Sequence, residues 1–192
     1  MLRVGEEEER RAGRQGKVRW FGADLARPLR EQLPLAPGGE GAALRAEGYD
    51  VVMANWLFDH AASEEELRAM WGNVVECLKP GGRFVGIRVV SVTAGYLTSG
   101  KYGIKYTEVE EFPGGLRYLV TFLTDPPFSF EATSMMSMSS LDHSIPGEMG
   151  LVDFQVVRTE EMETIQADPE FWAEYLEEPK MAVVTAKKPQ VI

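Results

Sequence analysis

Few residue types in this chain can do chemistry, and they are unevenly placed. Two histidines occur, each directly after an aspartate, as Asp59-His60 and Asp142-His143. An imidazole beside a carboxylate can carry a proton near neutral pH, and two such pairs brought together could hold a metal ion. Nothing in the sequence brings them together, so no metal is expected. Three tyrosines, Tyr96, Tyr102 and Tyr106, recur along one stretch, where a phenol can pack against a sheet or touch a ligand. Asp24 follows Gly22-Ala23 and suits a turn or a helix cap as readily as a ligand contact. Trp56 stands just past an apolar run, fit either for core packing or for a pocket wall. The lone thiol, Cys77, falls inside a helical pattern and reads as structural, since a reactive thiolate needs an exposed, electropositive setting. The acid-rich run Glu160–Glu178 lacks Lys and Arg but has no metal-ligand spacing, and reads as a solvated face.

The elements that must position these residues are clearest in the middle of the chain. Tyr49–Asn55 is an apolar run typical of a strand buried on both faces. Ser63 and Glu66 form a capping-box pattern. Leu67, Met70, Trp71, Val74, Val75 and Leu78 then follow at helical spacing and make one apolar stripe. Lys79-Pro80-Gly81-Gly82 is expected to end that helix through a left-handed glycine cap. Arg83–Val90 is a second buried strand. Strand, helical crossover and strand make a βαβ unit whose strands should be parallel neighbours.

Around this unit the signals are weaker. Residues 1–16 read as a disordered or weakly helical tail, and 17–192 as one domain. Lys17–Phe21 is a short strand candidate, Leu25–Leu33 a short helix limited by Pro28, and Pro34–Gly41 a loop. Downstream, Ile104–Glu111 and Leu116–Leu123 predict a hairpin through Phe112-Pro113-Gly114-Gly115. Phe128–Met136, Leu151–Val157 and Met181–Lys187 are further strand candidates. Asp168-Pro169 predicts a helix start, with Phe171, Trp172, Tyr175 and Leu176 as its packing face.

The chain has 192 residues, a formal net charge of −10 and 44% hydrophobic residues, enough for one well-packed domain. Most of the acidity lies after residue 48. A sequence pI near 4.8 argues against nucleic acid as a partner. No apolar stretch approaches the roughly 18 residues of a membrane span, and the charged N-terminus has no secretory pattern. With one cysteine there is no internal disulfide, which suits a reducing, cytoplasmic setting.

The stretch Tyr49–Val90, carrying the string YDVVMANWLFDHAASEEELRAMWGNVVECLKPGGRFVGIRV, resembles the C-terminal half of class I S-adenosylmethionine-dependent methyltransferases. VRWFGADL, at Val18–Leu25, resembles the earlier strand whose end meets the adenine in that family. Lys101–Tyr106 (KYGIKY) and Asp168–Tyr175 resemble a small-molecule subgroup that includes toxoflavin-type N-methyltransferases. The resemblance implies an α/β, Rossmann-like sheet with strands equivalent to 3-4-5-7-6 and a β-hairpin lid. It implies S-adenosylmethionine as cofactor, met by Ala23, Asp24 and Leu25 at the adenine and by Asn55, Trp56 and Leu57 near the methyl group. It makes His60 the base candidate, and Tyr96, Tyr102 and Tyr106 the wall for a small-molecule acceptor.

The chain departs from the family in one respect. No strand runs into a glycine-rich D/E-x-G-x-G-x-G loop, and Gly38-Gly39-Glu40-Gly41 has no buried strand before it. On the family's strand order the chain is expected to start just before strand three, as a truncated domain. The Lys17–Phe21 strand would then pair beside Tyr49–Asn55 or hang loosely. The open side of Tyr49–Asn55 could pair two chains into a homodimer. Two readings stay open: a methyltransferase acting on a small molecule, or a non-catalytic remnant acting as a binding or interaction domain. A nucleotide-dependent oxidoreductase is disfavoured by the missing G-x-G-x-x-G.

Overall fold

The computed structural model describes residues 2–14, 18, 20–33, 48–135 and 142–190. Helix α1 (Leu2–Arg11) occupies the segment expected as a tail, stapled by Glu7 to Arg10 and Arg11 one turn on, and Gly5 leaves room for the Trp20 ring. A single turn of helix, α2 (Leu29–Gln32), starts behind Pro28.

Strand β1 (Tyr49–Asn55) lies parallel to β2 (Leu78–Val89), with Val52 opposite Phe84 and Ala54 opposite Gly86. They are joined through α3 (Glu64–Cys77), so the βαβ unit is present as the sequence predicts. Ser63 Oγ accepts the Glu66 N–H at 3.2 Å, while the Glu66 carboxylate accepts the N–H of Ala62 at 2.8 Å, one residue earlier than a reciprocal box would have it. The helix end differs from expectation. No glycine caps it; Leu78 is already extended (φ −82, ψ 134), and β2 starts there. Pro80 disfavours helical backbone at Lys79, and Leu78 is pulled into the core at 2% exposure. The carbonyls of Val75, which also takes the Leu78 N–H, and Leu78 accept from Lys188 Nζ, both at 2.8 Å.

The main sheet has the order β1-β2-β7-β6, where β6 is Val152–Val156 and β7 is Met181–Lys187. β7 is antiparallel to both neighbours. This is the expected 4-5-7-6 series. Lys17 and Arg19 of the candidate third strand lie outside the described residues; Val18, Trp20 and Phe21 are exposed and carry no strand. Gly38–Gly41 also lies outside the described residues. Among those that are described, β1 has one neighbour, and Tyr49, Val51 and Met53 are exposed on it.

A second, antiparallel sheet has the order β3-β4-β5, from Ile104–Phe112, Gly115–Phe122 and Phe128–Ser134. Pro113 and Gly114 turn the expected hairpin, with Gly114 at φ 87. Helix α4 (Gly95–Ser99) leads into this sheet, and α5 (Ser144–Glu148) follows it. The region expected as a helix from Asp168 is broken. α6 (Glu163–Ala167) stops before it, residues 169–172 are turns, and only α7 (Ala173–Glu177) is helical. Asp168 still acts as a cap, its Oδ1 accepting the Phe171 N–H at 3.1 Å.

Two cores result. One packs α3 on the main sheet, where Phe58 stacks on Trp71 at 4.2 Å and Phe84 meets both edge-on. The other packs the hairpin sheet against α4, α6 and α7 around Tyr96, Tyr106, Tyr118 and Tyr175.

Candidate functional site

The two sheets meet at the carboxyl ends of β1 and β2. In open α/β sheets this is where ligands bind, because the loops there diverge and leave a crevice. The chain leaves β1 at Trp56 in a left-handed conformation (φ 54, ψ 11), held by its N–H to Ile87 O at 3.1 Å. Left-handed backbone at a non-glycine residue costs about 1 kcal/mol or more, and here it directs the next four residues, Leu57–His60, into a 3-10 turn under the hairpin sheet. The Thr133 hydroxyl on β5 ties that turn down, shared between the carbonyls of Asp59 (3.1 Å) and Ala61 (2.8 Å).

Between turn and sheet lies a cleft of about 110 Å³, walled by Trp56, Tyr106, Tyr118, Phe122 and Phe130, with Asp59, His60 and Lys180 as its polar groups. Asp59 is the unusual member. It is 6% exposed, and its Oδ2 has no hydrogen-bond partner. Burial pushes its carboxyl up to about 7, against the opposing pull of the Arg88 charge and the Val89 main-chain N–H. Arg88 does not neutralise it directly. Among the described residues no ion pair joins the two; the guanidinium lies over Phe58, 4.7 Å from the ring centroid, and its Nε is also unpartnered. The Asp59 charge reaches both phenols of the wall, and burial with that charge raises Tyr106 to about 12 and Tyr118 further still.

The 3-10 turn separates the Asp-His pair. Phe58 and Asp59 face inward, whereas His60 is exposed at the mouth of the cleft. The carboxylate, not the imidazole, is the buried titratable group, and adjacency in sequence gave no warning of it.

Of the other candidates, Trp56 and Tyr106 line the cleft. Asn55 is exposed at the strand end, its amide 3.5 Å from Met53 Sδ, and Leu57 packs into the first core. Tyr96 and Tyr102 do not line it. Tyr96 donates to Glu178 O at 2.6 Å, and Tyr102 donates to Phe171 O at 2.9 Å while stacking on Trp172 at 5.0 Å. Both tie the hairpin sheet to the segment before β7. Ala23, Asp24 and Leu25 form a strap over α3. The Asp24 N–H donates to Gln32 Oε1, and its Oδ1 accepts from Ala26 N, so Asp24 serves as a turn residue. The strap is held by a residue the sequence did not single out. Buried Asn73 donates to the carbonyls of Leu25 (3.0 Å) and Arg27 (2.9 Å) and accepts from Leu29 N (2.9 Å).

Cys77 is buried and its thiol is pushed up to about 11, in keeping with a structural role. Among the described residues no group of three His, Cys, Asp or Glu side chains gathers as a metal site, and no helix is long and apolar enough to cross a membrane.

No protein-family model matches the chain. Its fold is similar to that of the CcbJ methyltransferase of Streptomyces caelestis, with TM-score 0.58 and 16% identity, covering 99% of this chain and 71% of that one. An S-adenosylmethionine-dependent methyltransferase of Clostridium acetobutylicum aligns at TM-score 0.53 and 14% identity, over 98% of this chain and 71% of that one. The mRNA cap guanine-N(7) methyltransferase of Aspergillus niger is 39% identical over 72 residues, which are 35% of this chain and only 12% of that protein. The chain has the fold of class I S-adenosylmethionine-dependent methyltransferases.

Proposed function

We propose that this chain serves methyl transfer from S-adenosylmethionine to a small organic acceptor, which sits in the aromatic cleft with Asp59 as its proton acceptor. The observation that carries this reading is the orphaned Asp59 carboxylate. A buried acid with one unpartnered oxygen and a pKa near neutrality, at the strand ends of this fold, is what general-base chemistry requires.

The cofactor fits the described residues at one end. Trp56 presents an indole at 43% exposure beside the cleft, a surface suited to a sulfonium cation, with Asn55 and Leu57 on either side. At the adenosine end the fit is poorer, because the Asp24 N–H and Oδ1 are already engaged within the strap. When bound, S-adenosylmethionine supplies an electrophilic methyl group. The chain's own part is to hold the acceptor against the aromatic wall, exclude water, and take the acceptor's proton at the Asp59 carboxylate.

A second reading, a binding domain without catalysis, is favoured by that engaged strap. Calorimetric titration with S-adenosylmethionine separates the two. The first expects saturable heat by millimolar ligand and methylated product from a supplied acceptor. No heat at that concentration leaves the second. RNA is not proposed as acceptor, since a pI near 4.8 gives no field to hold phosphates.

A further inference from the structure

We propose that the cleft selects a small arylalkylamine, bound as its ammonium ion, with Asp59 as counter-ion and the faces of Trp56, Tyr106 and Tyr118 around the charge. The proposal rests on the acceptor-side reading above and names the class of acceptor.

Three observations converge on a cation. The Asp59 Oδ2 atom is buried and unpartnered, so it can accept a charge-assisted hydrogen bond without first losing another. Arg88, which borders a small void with Asp59, rests its guanidinium on Phe58 and, among the described residues, makes no ion pair with that carboxylate. The aromatic wall already shows one cation at rest on it, because Lys180 Nζ sits 5.7 Å from the Tyr106 ring centroid. Burial pulls that lysine down to about 8, so it gives up its charge more readily than a solvated lysine does. The volume of about 110 Å³ admits one ring with a short substituent rather than a larger molecule.

The two polar groups make opposite predictions for opposite ligand charges, which gives a test with a sign. Benzylammonium and benzoate are titrated calorimetrically into the wild-type chain, Asp59→Asn and Lys180→Met, at low salt and without S-adenosylmethionine. Benzylammonium is expected to bind, about tenfold or more weakly to Asp59→Asn, since a hydrogen bond to a charged group is lost. It should bind about threefold more tightly to Lys180→Met, where a competing positive charge is gone. Benzoate is expected to give no heat. Benzoate binding that Lys180→Met abolishes would overturn the proposal, and so would silence from both probes at about 10 mM. Asp59→Asn removes a buried unpaired charge, so it should fold, and its melting curve verifies this. Because no cofactor is present, failure here is separate from failure of the S-adenosylmethionine titration.

Discussion

Two aromatic clusters flank the hairpin sheet; they look alike in sequence and differ in one physical respect. In the cluster of Tyr96, Tyr102 and Tyr175, every phenol hydroxyl donates to a main-chain carbonyl, those of Glu178, Phe171 and Met181. The rings meet edge-on or stacked, and Lys101 spans the outside to Glu174. In the cleft of Tyr106, Tyr118 and Trp56, a carboxylate faces the rings with an oxygen that has no partner. A closed hydrogen-bond account marks packing; an open one, kept at a cost in stability, marks a place where something else binds. The tyrosines cannot be sorted by type or spacing, only by where their hydroxyls end.

The largest expected effect that could break this contrast is the pH dependence of stability. The Asp59 carboxyl is raised from 3.8 to about 7 in the folded chain. Between those values the folded state holds a proton the unfolded state has released. Its stabilising contribution is full below pH 4 and falls away as pH rises through 7. At 1.36 kcal/mol per unit the loss is on the order of 4 kcal/mol. Chemical denaturation of wild type and Asp59→Asn from pH 4 to 8 should show wild type losing stability relative to the variant as pH rises; parallel curves would mean Asp59 is not so buried.

On the closed cluster, Tyr102→Ala should cost about 3 kcal/mol of stability by emptying the space between Trp172, Phe171 and Tyr175, yet leave benzylammonium affinity within about twofold. A large loss of affinity would show that the two clusters are one site. Asn73→Ala should cost about 2 kcal/mol and loosen the Leu25–Leu29 strap, read as faster amide exchange there. If that strap meets the cofactor, S-adenosylmethionine binding weakens while amine binding does not. The smallest effect is that of Tyr96→Phe, about 1 kcal/mol for one hydrogen bond, with no change in ligand binding.

How much of this was legible beforehand depends on the kind of signal. The βαβ unit could be read because its strands and the α3 stripe repeat with their own periods over many residues, and the 4-5-7-6 order came with the resemblance. The hairpin was legible from Pro113-Gly114. The inward turn of Asp59 was not. A four-residue 3-10 turn is too short for a period, and its direction is set by the left-handed Trp56 and by Thr133 from a strand over seventy positions away. Asn73 was invisible for a similar reason, since its three partners lie on a segment with no pattern of its own. The end of α3 escapes the pattern because Leu78 keeps the helical spacing and yet enters the core as the first residue of β2.

The most direct test of the account follows the Asp59 carboxyl carbon itself by NMR through a pH titration, alone and with benzylammonium. Arg88, Tyr106 and Tyr118 surround it and keep their charge state between pH 4 and 8, whereas His60 and Lys180 share the cleft, so the titration is repeated in Lys180→Met and His60→Ala. The account predicts a midpoint near 7 in the free chain, moving down when the amine supplies a counter-charge. A midpoint near 4 that the amine does not move would contradict it.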